Sequence, residues 1–141
     1  MFLGEYQHSI DDKGRVIMPA RFREQLGDSF IITRGLDGCL FVYPQEEWAK
    51  LAKEVQSLPL AKRDARAFSR LLFSGAAELE CDKQGRVSIP SLLREYAQIN
   101  KDVVIVGVSE RLEIWAAERW AEISRDILDR FEELAEKLEG F

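Results

Sequence analysis

The sequence contains one stretch twice: DDKGRVIMP at residues 11–19 and, 71 positions later, DKQGRVSIP at residues 82–90. The similarity continues beyond these stretches, at a separation of 71 positions for Arg23 and Arg94 and of 72 positions for the later pairs. Further equivalent pairs are Arg23 with Arg94, Gly35 with Gly107, Leu40 with Leu112, Tyr43 with Trp115 and Trp48 with Trp120. Because internal self-similarity is typical of a duplicated structural unit, the chain is predicted to consist of two copies of one small fold.

Each copy is predicted to contain the same elements in the same order: a short strand, a glycine turn, a second strand ended by proline, a short helix and a hairpin. In the first copy, Pro19 begins a helix at residues 20–26, and strands at 30–33 and 40–43 flank a glycine-rich turn. In the second copy, the strand after the glycine turn is predicted at 87–89. The helix follows at 91–97 and the two hairpin strands at 103–106 and 112–115.

Two further segments have a helical pattern. Residues 44–73 form a predicted spacer broken at Pro59, with an apolar stripe at Trp48, Leu51, Ala52 and Val55. Four basic residues and one acid at positions 62–70 either solvate this helix or face phosphate. From residue 116 to 141 one long amphipathic helix is predicted. It carries eight acids against four bases, and its stripe either packs on its own domain or forms a subunit contact.

The composition indicates a folded protein. Of 141 residues, 46% are hydrophobic and 32% charged, and the formal net charge is -5. Because there is no run of about 18 apolar residues and no signal-peptide pattern at the start, no membrane association is expected and a cytoplasmic location is predicted.

Several kinds of catalytic or metal site lack their sequence patterns. Cys39 and Cys81 have no CxxC spacing and His8 has no histidine partner, so no metal is expected, and buried thiols are favoured over a disulfide. Nucleophile elbows, phosphate-binding GxxxxGK[ST] loops and GxGxxG turns are missing from the sequence. The chain is therefore predicted not to be an enzyme, with no cofactor and no small-molecule substrate.

The repeated turn places an aspartate, a glycine and an arginine at matched positions. They are Asp11, Gly14 and Arg15 in the first copy and Asp82, Gly85 and Arg86 in the second. In a purely structural interpretation, glycine supplies the positive φ angle and the aspartate caps the turn. In a functional interpretation, the aspartate orients an exposed guanidinium group, whose planar fork suits a phosphate or a guanine edge. The spacing by itself is compatible with both.

These motifs resemble the MraZ family. The residues that carry the resemblance are the N-terminal MFLGEY, His8, Asp11, Lys13, Gly14, Arg15, Pro19, Asp82, Gly85, Arg86, Pro90, Leu93, Arg94, Glu95, Gly107, Glu113, Ile114 and Trp115. The resemblance extends from Met1 to at least Trp120.

The resemblance implies a β-rich α+β fold in which two SpoVT-AbrB-like halves form a double-split, swapped-hairpin β-barrel. The expected divisions are domain 1 at 5–47, a helical spacer at 48–75, domain 2 at 76–119 and a C-terminal amphipathic helix at 120–141. It also implies a bacterial, nucleoid-associated transcriptional regulator that assembles into a homo-oligomeric ring. Such a ring binds short direct repeats in double-stranded DNA upstream of the division and cell-wall gene cluster.

By the same resemblance, the two DxxxR loops contact the DNA. The expected DNA-binding residues are Asp11, Lys13, Arg15, Asp82, Lys83 and Arg86, with Gly14 and Gly85 forming the turns. The copies differ in charge, because Lys13 corresponds to Gln84 and Lys83 corresponds to Asp12. The alternative is an oligomeric interaction protein of the same fold, similar to an antitoxin, that binds a protein partner.

Overall fold

The computed structural model describes residues 1–140 and shows a mixed α+β fold of eight strands and six helices in that range. The strands are β1 (Glu5–Ser9), β2 (Arg15–Ile17), β3 (Phe30–Arg34), β4 (Leu40–Pro44), β5 (Ala77–Leu79), β6 (Arg86–Ser88), β7 (Asp102–Val108) and β8 (Arg111–Ala116). The helices are α1 (Ala20–Leu26), α2 (Gln45–Gln56), α3 (Arg63–Ser74), α4 (Ser91–Tyr96), α5 (Ala117–Asp129) and α6 (Phe131–Lys137).

Six strands form one antiparallel sheet in the order β1-β7-β8-β4-β3-β5. The hairpins β3–β4 and β7–β8 lie at its centre, as the sequence predicted for each copy. The first strand of each half, however, pairs with the hairpin of the other half: β1 with β7 and β5 with β3. The two halves therefore share a single sheet.

The remaining strands, β2 and β6, pair with each other and form a separate two-stranded ribbon. The strands on either side of each glycine turn do not form a hairpin of their own, because β1 and β2 hydrogen-bond to strands of the other half and not to each other. Within residues 1–140 the larger sheet ends at β1 and β5, and no strand pairing closes it into a barrel.

The main hydrophobic core lies between one face of the sheet, the ribbon and the short helices α1 and α4. Alternate residues of each strand point into it, as expected for a sheet covered on that side. Among the largest fully buried side chains are Met18, Phe22, Phe30, Ile105 and Leu112. Val16 and Val87 contribute the buried side of the ribbon, which is thereby held against the core.

The opposite face of the sheet is covered by α2 and α5. Trp48 and Trp120, at equivalent positions of the repeat, pack there against Tyr43 and Trp115, with ring centroids 6.2 Å and 5.5 Å apart. Both helices follow a hairpin directly and begin after an extended residue, Pro44 and Ala116. The duplication is thus visible on both faces of the sheet.

The helical segments lie where the sequence predicted them, with α4 one residue shorter than expected, except at the C-terminus. Helix α1 has the expected bounds, and the spacer is interrupted at residues 57–62, around Pro59. The predicted single C-terminal helix is two helices, because Arg130, at φ -112°, leaves the helical conformation. Glu132 and Glu133 then occupy the first turn of α6, where carboxylates interact favourably with a helix N-terminus. Position 141 of the predicted helix lies outside the described residues.

The apolar stripe of the C-terminal helices is only partly buried by contacts within the chain. Trp120 and Ile123 pack on the sheet, whereas Leu128, Phe131 and Leu138 are 73%, 66% and 62% exposed. Over the part of the chain that is described, no helix has both the length and the apolar character needed to cross a membrane.

Candidate nucleic-acid interface

The first DxxxR loop is held together by the carboxylate of Asp11. Its Oδ1 atom accepts hydrogen bonds from the backbone N–H groups of Lys13 (3.0 Å) and Arg15 (2.9 Å). Its Oδ2 atom accepts one from Nε of Arg15 (2.8 Å). The backbone closes the loop, since Asp11 N–H donates to Arg15 O and Gly14 N–H to Asp11 O. One carboxylate thus fixes both the turn and the arginine side chain.

The second loop repeats this arrangement. Asp82 Oδ1 accepts from the N–H groups of Gln84 (2.9 Å) and Arg86 (2.8 Å), and Oδ2 accepts from Arg86 Nε (2.8 Å). Gly85 N–H donates to Asp82 O over 2.9 Å. The structural role predicted for each aspartate is therefore confirmed in both copies.

Gly14 and Gly85 have φ angles of 80° and 79°, in the left-handed region where a residue without a Cβ atom is favoured. Their carbonyl groups also join the halves, because Gly14 O accepts from Ile89 N–H and Gly85 O from Met18 N–H, both over 2.9 Å. Each turn glycine therefore extends the β2–β6 ribbon by one hydrogen bond.

The register of the ribbon places both arginines on its outer face. Arg15 lies opposite Ser88 and Arg86 lies opposite Ile17, and all four side chains point away from the core. This follows from the alternation of side chains in a strand, because Val16 and Val87 between them point inward and are 1% exposed. Diagonal neighbours in an antiparallel pair have Cα atoms about 7–8 Å apart. The two arginines are therefore close neighbours on one surface.

Each of these arginines retains hydrogen-bonding capacity. The Nε atom of Arg15 and of Arg86 donates to its aspartate, while the terminal Nη atoms form no hydrogen bond with any group in residues 1–140. The two side chains are 27% and 28% exposed. A guanidinium group fixed on one edge and free at its two terminal nitrogens can bind a phosphate or a guanine edge bidentately.

The hydrogen bonds of the loops lower the pKa of both aspartates below the ordinary value of 3.8. The largest cause is the backbone N–H of Arg15 for Asp11 and that of Arg86 for Asp82, with further contributions from the arginine side chains. Both carboxylates are therefore charged at neutral pH and hold their arginines as ion pairs.

Among the remaining predicted residues, Lys13 and Lys83 are exposed and take part in no ion pair within residues 1–140. Asp12 and Gln84, at the corresponding positions of the opposite loop, are exposed as well. The structure therefore brings all six predicted residues to the two ends of one ribbon.

Comparison with known proteins gives the family. The family model described as "MraZ protein, putative antitoxin-like" matches residues 1–71 and, separately, residues 72–140. The chain is 58% identical to "Transcriptional regulator MraZ" of Moorella thermoacetica over 141 residues, which is 100% of the chain and 99% of that protein. It is 57% identical over the same shares to the protein of that name from Heliobacterium modesticaldum. The chain belongs to the MraZ family.

Two further arginines of this MraZ family member, to which the sequence analysis assigned no role, contact the loops. Arg23 of α1 donates through Nη1 to Met18 O (2.9 Å), and Arg94 of α4 donates through Nε to Ile89 O (3.0 Å). Each lies over the loop glycine of the other half: Arg94 over Gly14 and Arg23 over Gly85. The signal available in the sequence was that these arginines, like the loops, occupy equivalent places in the repeat.

The other side chains that could take part in chemistry lie in packed or hydrogen-bonded positions of the fold. Glu113, 9% exposed, accepts hydrogen bonds from Arg111 and from Trp115 Nε1. Cys39 and Cys81 are free thiols, and burial raises the pKa of the Cys39 thiol to about 12. In residues 1–140, no group of three or more His, Cys, Asp or Glu side chains is arranged to hold a metal ion.

Proposed function

We propose that this chain is a sequence-specific DNA-binding transcriptional regulator and not an enzyme. Relatives 57–58% identical over their full length carry the name "Transcriptional regulator MraZ". The observation that carries the proposal is the pair of guanidinium groups on the outer face of the β2–β6 ribbon, each fixed by an aspartate and free at its Nη atoms. A two-stranded ribbon has dimensions that fit the major groove of DNA.

In this proposal Arg15 and Arg86 contact base edges or phosphates, and Lys13 and Lys83 contact phosphates. Asp11 and Asp82 belong to the DNA-binding loops and act there by holding the arginines in place. The two SpoVT-AbrB-like units, residues 5–47 and 76–119, exchange their first strands in a swapped-hairpin arrangement. The cross-pairing of β1 with β7 and of β5 with β3 supports this assignment.

The acidic net charge of the chain favours an oligomer as the binding form. A single copy with a charge of -5 neutralises few phosphates, and affinity for DNA depends strongly on that neutralisation. Several copies in a homo-oligomeric ring bind spaced direct repeats multivalently. The exposed apolar side chains Leu128 and Phe131 provide a surface for such assembly. We place these repeats upstream of the division and cell-wall gene cluster and expect the protein to associate with the nucleoid.

Fluorescence anisotropy with the DNA upstream of the chain's own gene tests the proposal, with a scrambled duplex for comparison and two salt concentrations. Arg15→Ala and Arg86→Ala are each expected to lower affinity by about tenfold or more and to reduce the salt slope by about 1 for every copy that contacts the DNA, because each copy loses one cationic contact. Lys53→Ala is the matched control. It removes one positive charge from α2, on the face of the sheet opposite to the ribbon.

Light scattering on the same samples measures the assembly, which is expected to have a mass several times the 16.2 kDa of one chain. A folded oligomer that binds neither duplex would contradict the proposal and favour a protein partner, as in an antitoxin. Equal binding of both duplexes would contradict sequence-specific regulation.

A further inference from the structure

The two DxxxR loops are each completed by an arginine from the opposite half. Gly14 and Gly85 are buried although they belong to exposed turns. A Cβ atom added to Gly14 would lie 2.8 Å from Cζ and 3.0 Å from Nε of Arg94, and one added to Gly85 would meet the guanidinium of Arg23. The flat guanidinium groups therefore cover the Cα atoms of the turns, and only glycine leaves room for them.

Both covering arginines are fixed at a second point. Arg94 Nε donates to Ile89 O, and the N–H of Ile89 donates in turn to Gly14 O. Arg23 Nη1 donates to Met18 O, and the N–H of Met18 donates to Gly85 O. Each arginine thus contacts both partners of the hydrogen bond that joins its own half to the loop of the other half.

Neither arginine has a carboxylate partner among residues 1–140, although 25 of the 141 residues of the chain are acidic. The helices that carry them, α1 and α4, are short and packed on the core through Phe22 and Leu93, each 1% exposed. The arginines therefore start from rigid positions and end on the loops, which is the geometry expected of positioning residues.

We propose that Arg94 positions the Asp11–Arg15 loop and Arg23 positions the Asp82–Arg86 loop, so that each DNA-binding loop depends on a residue of the other half. This inference rests on the proposed function only for its effect on DNA binding. The effect on the loops themselves is a property of the free protein. One half alone would accordingly lack a correctly held loop.

Amide hydrogen exchange of the free protein tests the positioning without DNA. In Arg94→Gln the amide nitrogen can take the place of Nε and keep the hydrogen bond to Ile89 O, while Cζ and the Nη atoms, the outer part of the group that covers Gly14, are lost. We expect exchange of the Arg15 N–H to rise about tenfold and that of the Arg86 N–H to stay unchanged. Arg23→Gln, which loses both the Nη1 hydrogen bond to Met18 O and the cover over Gly85, is expected to give the reverse pattern. Arg21→Gln, which alters an exposed arginine of α1, the helix that carries Arg23, is the control.

Double-variant cycles measured by DNA anisotropy test the consequence for binding. Arg94→Gln is expected to lower affinity severalfold in the unaltered chain and to have little further effect beside Arg15→Ala, because both act through one loop. Beside Arg86→Ala its effect is expected to be additive. If the chain does not bind DNA, the proposed function fails, while the exchange experiment still decides the positioning role.

Three results would overturn the inference: exchange that rises in the loop of the same half, exchange that rises equally in both loops, or exchange that does not change. Should Arg94→Gln fail to fold, Arg94→Lys provides the same test, since lysine keeps the charge but lacks the planar group over Gly14. The same loop-specific pattern is expected for Arg94→Lys. Full retention of wild-type exchange in a folded Arg94→Lys protein would also contradict the inference.

Discussion

The loops Asp11–Arg15 and Asp82–Arg86 have the same backbone and different charge. Their corresponding hydrogen bonds agree to within 0.1 Å. Residues 11–15 include two acids and two bases, for a net charge of zero, whereas residues 82–86 include one acid and two bases, for a net charge of +1. The difference lies entirely at the two positions between the aspartate and the glycine.

This comparison separates two tasks within one motif. The aspartate, glycine and arginine determine the shape of the loop, because the hydrogen bonds that the loops share involve either these residues alone or, at Lys13 and Gln84, only a backbone N–H group. The intervening positions are exposed and free to vary, so they adjust the electrostatic potential without altering that shape. The second loop is therefore expected to attract phosphate more strongly than the first, although both arginines are held alike.

The largest effect is expected when the shared geometry itself is broken. Gly14→Val places a β-branched residue at φ 80° and a Cβ atom 2.8 Å from Arg94 Cζ. We expect the free energy of unfolding, measured with urea, to fall by about 2–4 kcal/mol. Gly85→Val should cause a similar loss, because its surroundings are equivalent.

Gly27→Val provides the control for this prediction. Gly27 has a φ angle of 81°, but no atom lies within 4 Å of the position of its Cβ. At φ 81° and ψ -166°, a conformation almost restricted to glycine, backbone strain alone should cost about 1–3 kcal/mol. Equal losses for Gly14→Val and Gly27→Val would show that the contact with Arg94 is easily relieved, and would remove one distinction between the loop glycines and an ordinary helix end.

Substitutions can give each loop the charge of the other. Asp12→Lys gives the first loop the lysine that the second has at Lys83, and Lys83→Asp does the opposite. Each new or lost phosphate contact changes the slope of log affinity against log salt by about 0.9. We therefore expect a steeper slope and tighter DNA binding for Asp12→Lys, and a shallower slope and weaker binding for Lys83→Asp, by anisotropy.

The variant that carries both changes keeps the net charge of -5 and serves as the control for long-range electrostatics. Its affinity should be close to that of the unaltered chain if the two loops face the DNA equally. A response to Asp12→Lys without any response to Lys83→Asp would restrict the DNA contact to the first loop.

Much of this architecture could be predicted from the sequence because it is local. The bounds of α1, the two hairpins and the contact between each aspartate and its arginine depend on residues a few positions apart. The pairing of β1 and β2 could not be predicted in this way. Alternation tells which face of a strand is buried but not which strand lies beside it, and in a duplicated chain each strand has two nearly equivalent partners.

The parts of the site that sequence reasoning did not find are distant in the chain. Arg94 lies 80 positions from Gly14, and the pairing of strands from the two halves brings them together. The break at Arg130 was missed for a different reason. No proline or glycine marks it, and the apolar stripe continues through Phe131 as if the helix were unbroken.

The smallest effect is expected from pH. The two loops are equivalent in the surroundings of their aspartates as well as in their backbone. Acceptance of backbone N–H groups lowers the pKa of Asp11 and Asp82 below 3.8. A group with a lowered folded-state pKa stabilises the fold fully above its unfolded value, and this contribution is lost only as the pH falls through the folded pKa. Neither loop should therefore change between pH 8 and pH 5.

Carboxyl carbon chemical shifts followed by NMR during an acid titration measure this directly. Both aspartates should titrate below 3.8, and protection of the Arg15 and Arg86 N–H groups should disappear in the same interval. Asp11→Asn and Asp82→Asn each remove one titration and so identify the signals. A midpoint at or above 3.8 for one aspartate alone would mean that its carboxylate is held less firmly, and the two loops would then differ in geometry as well as in charge.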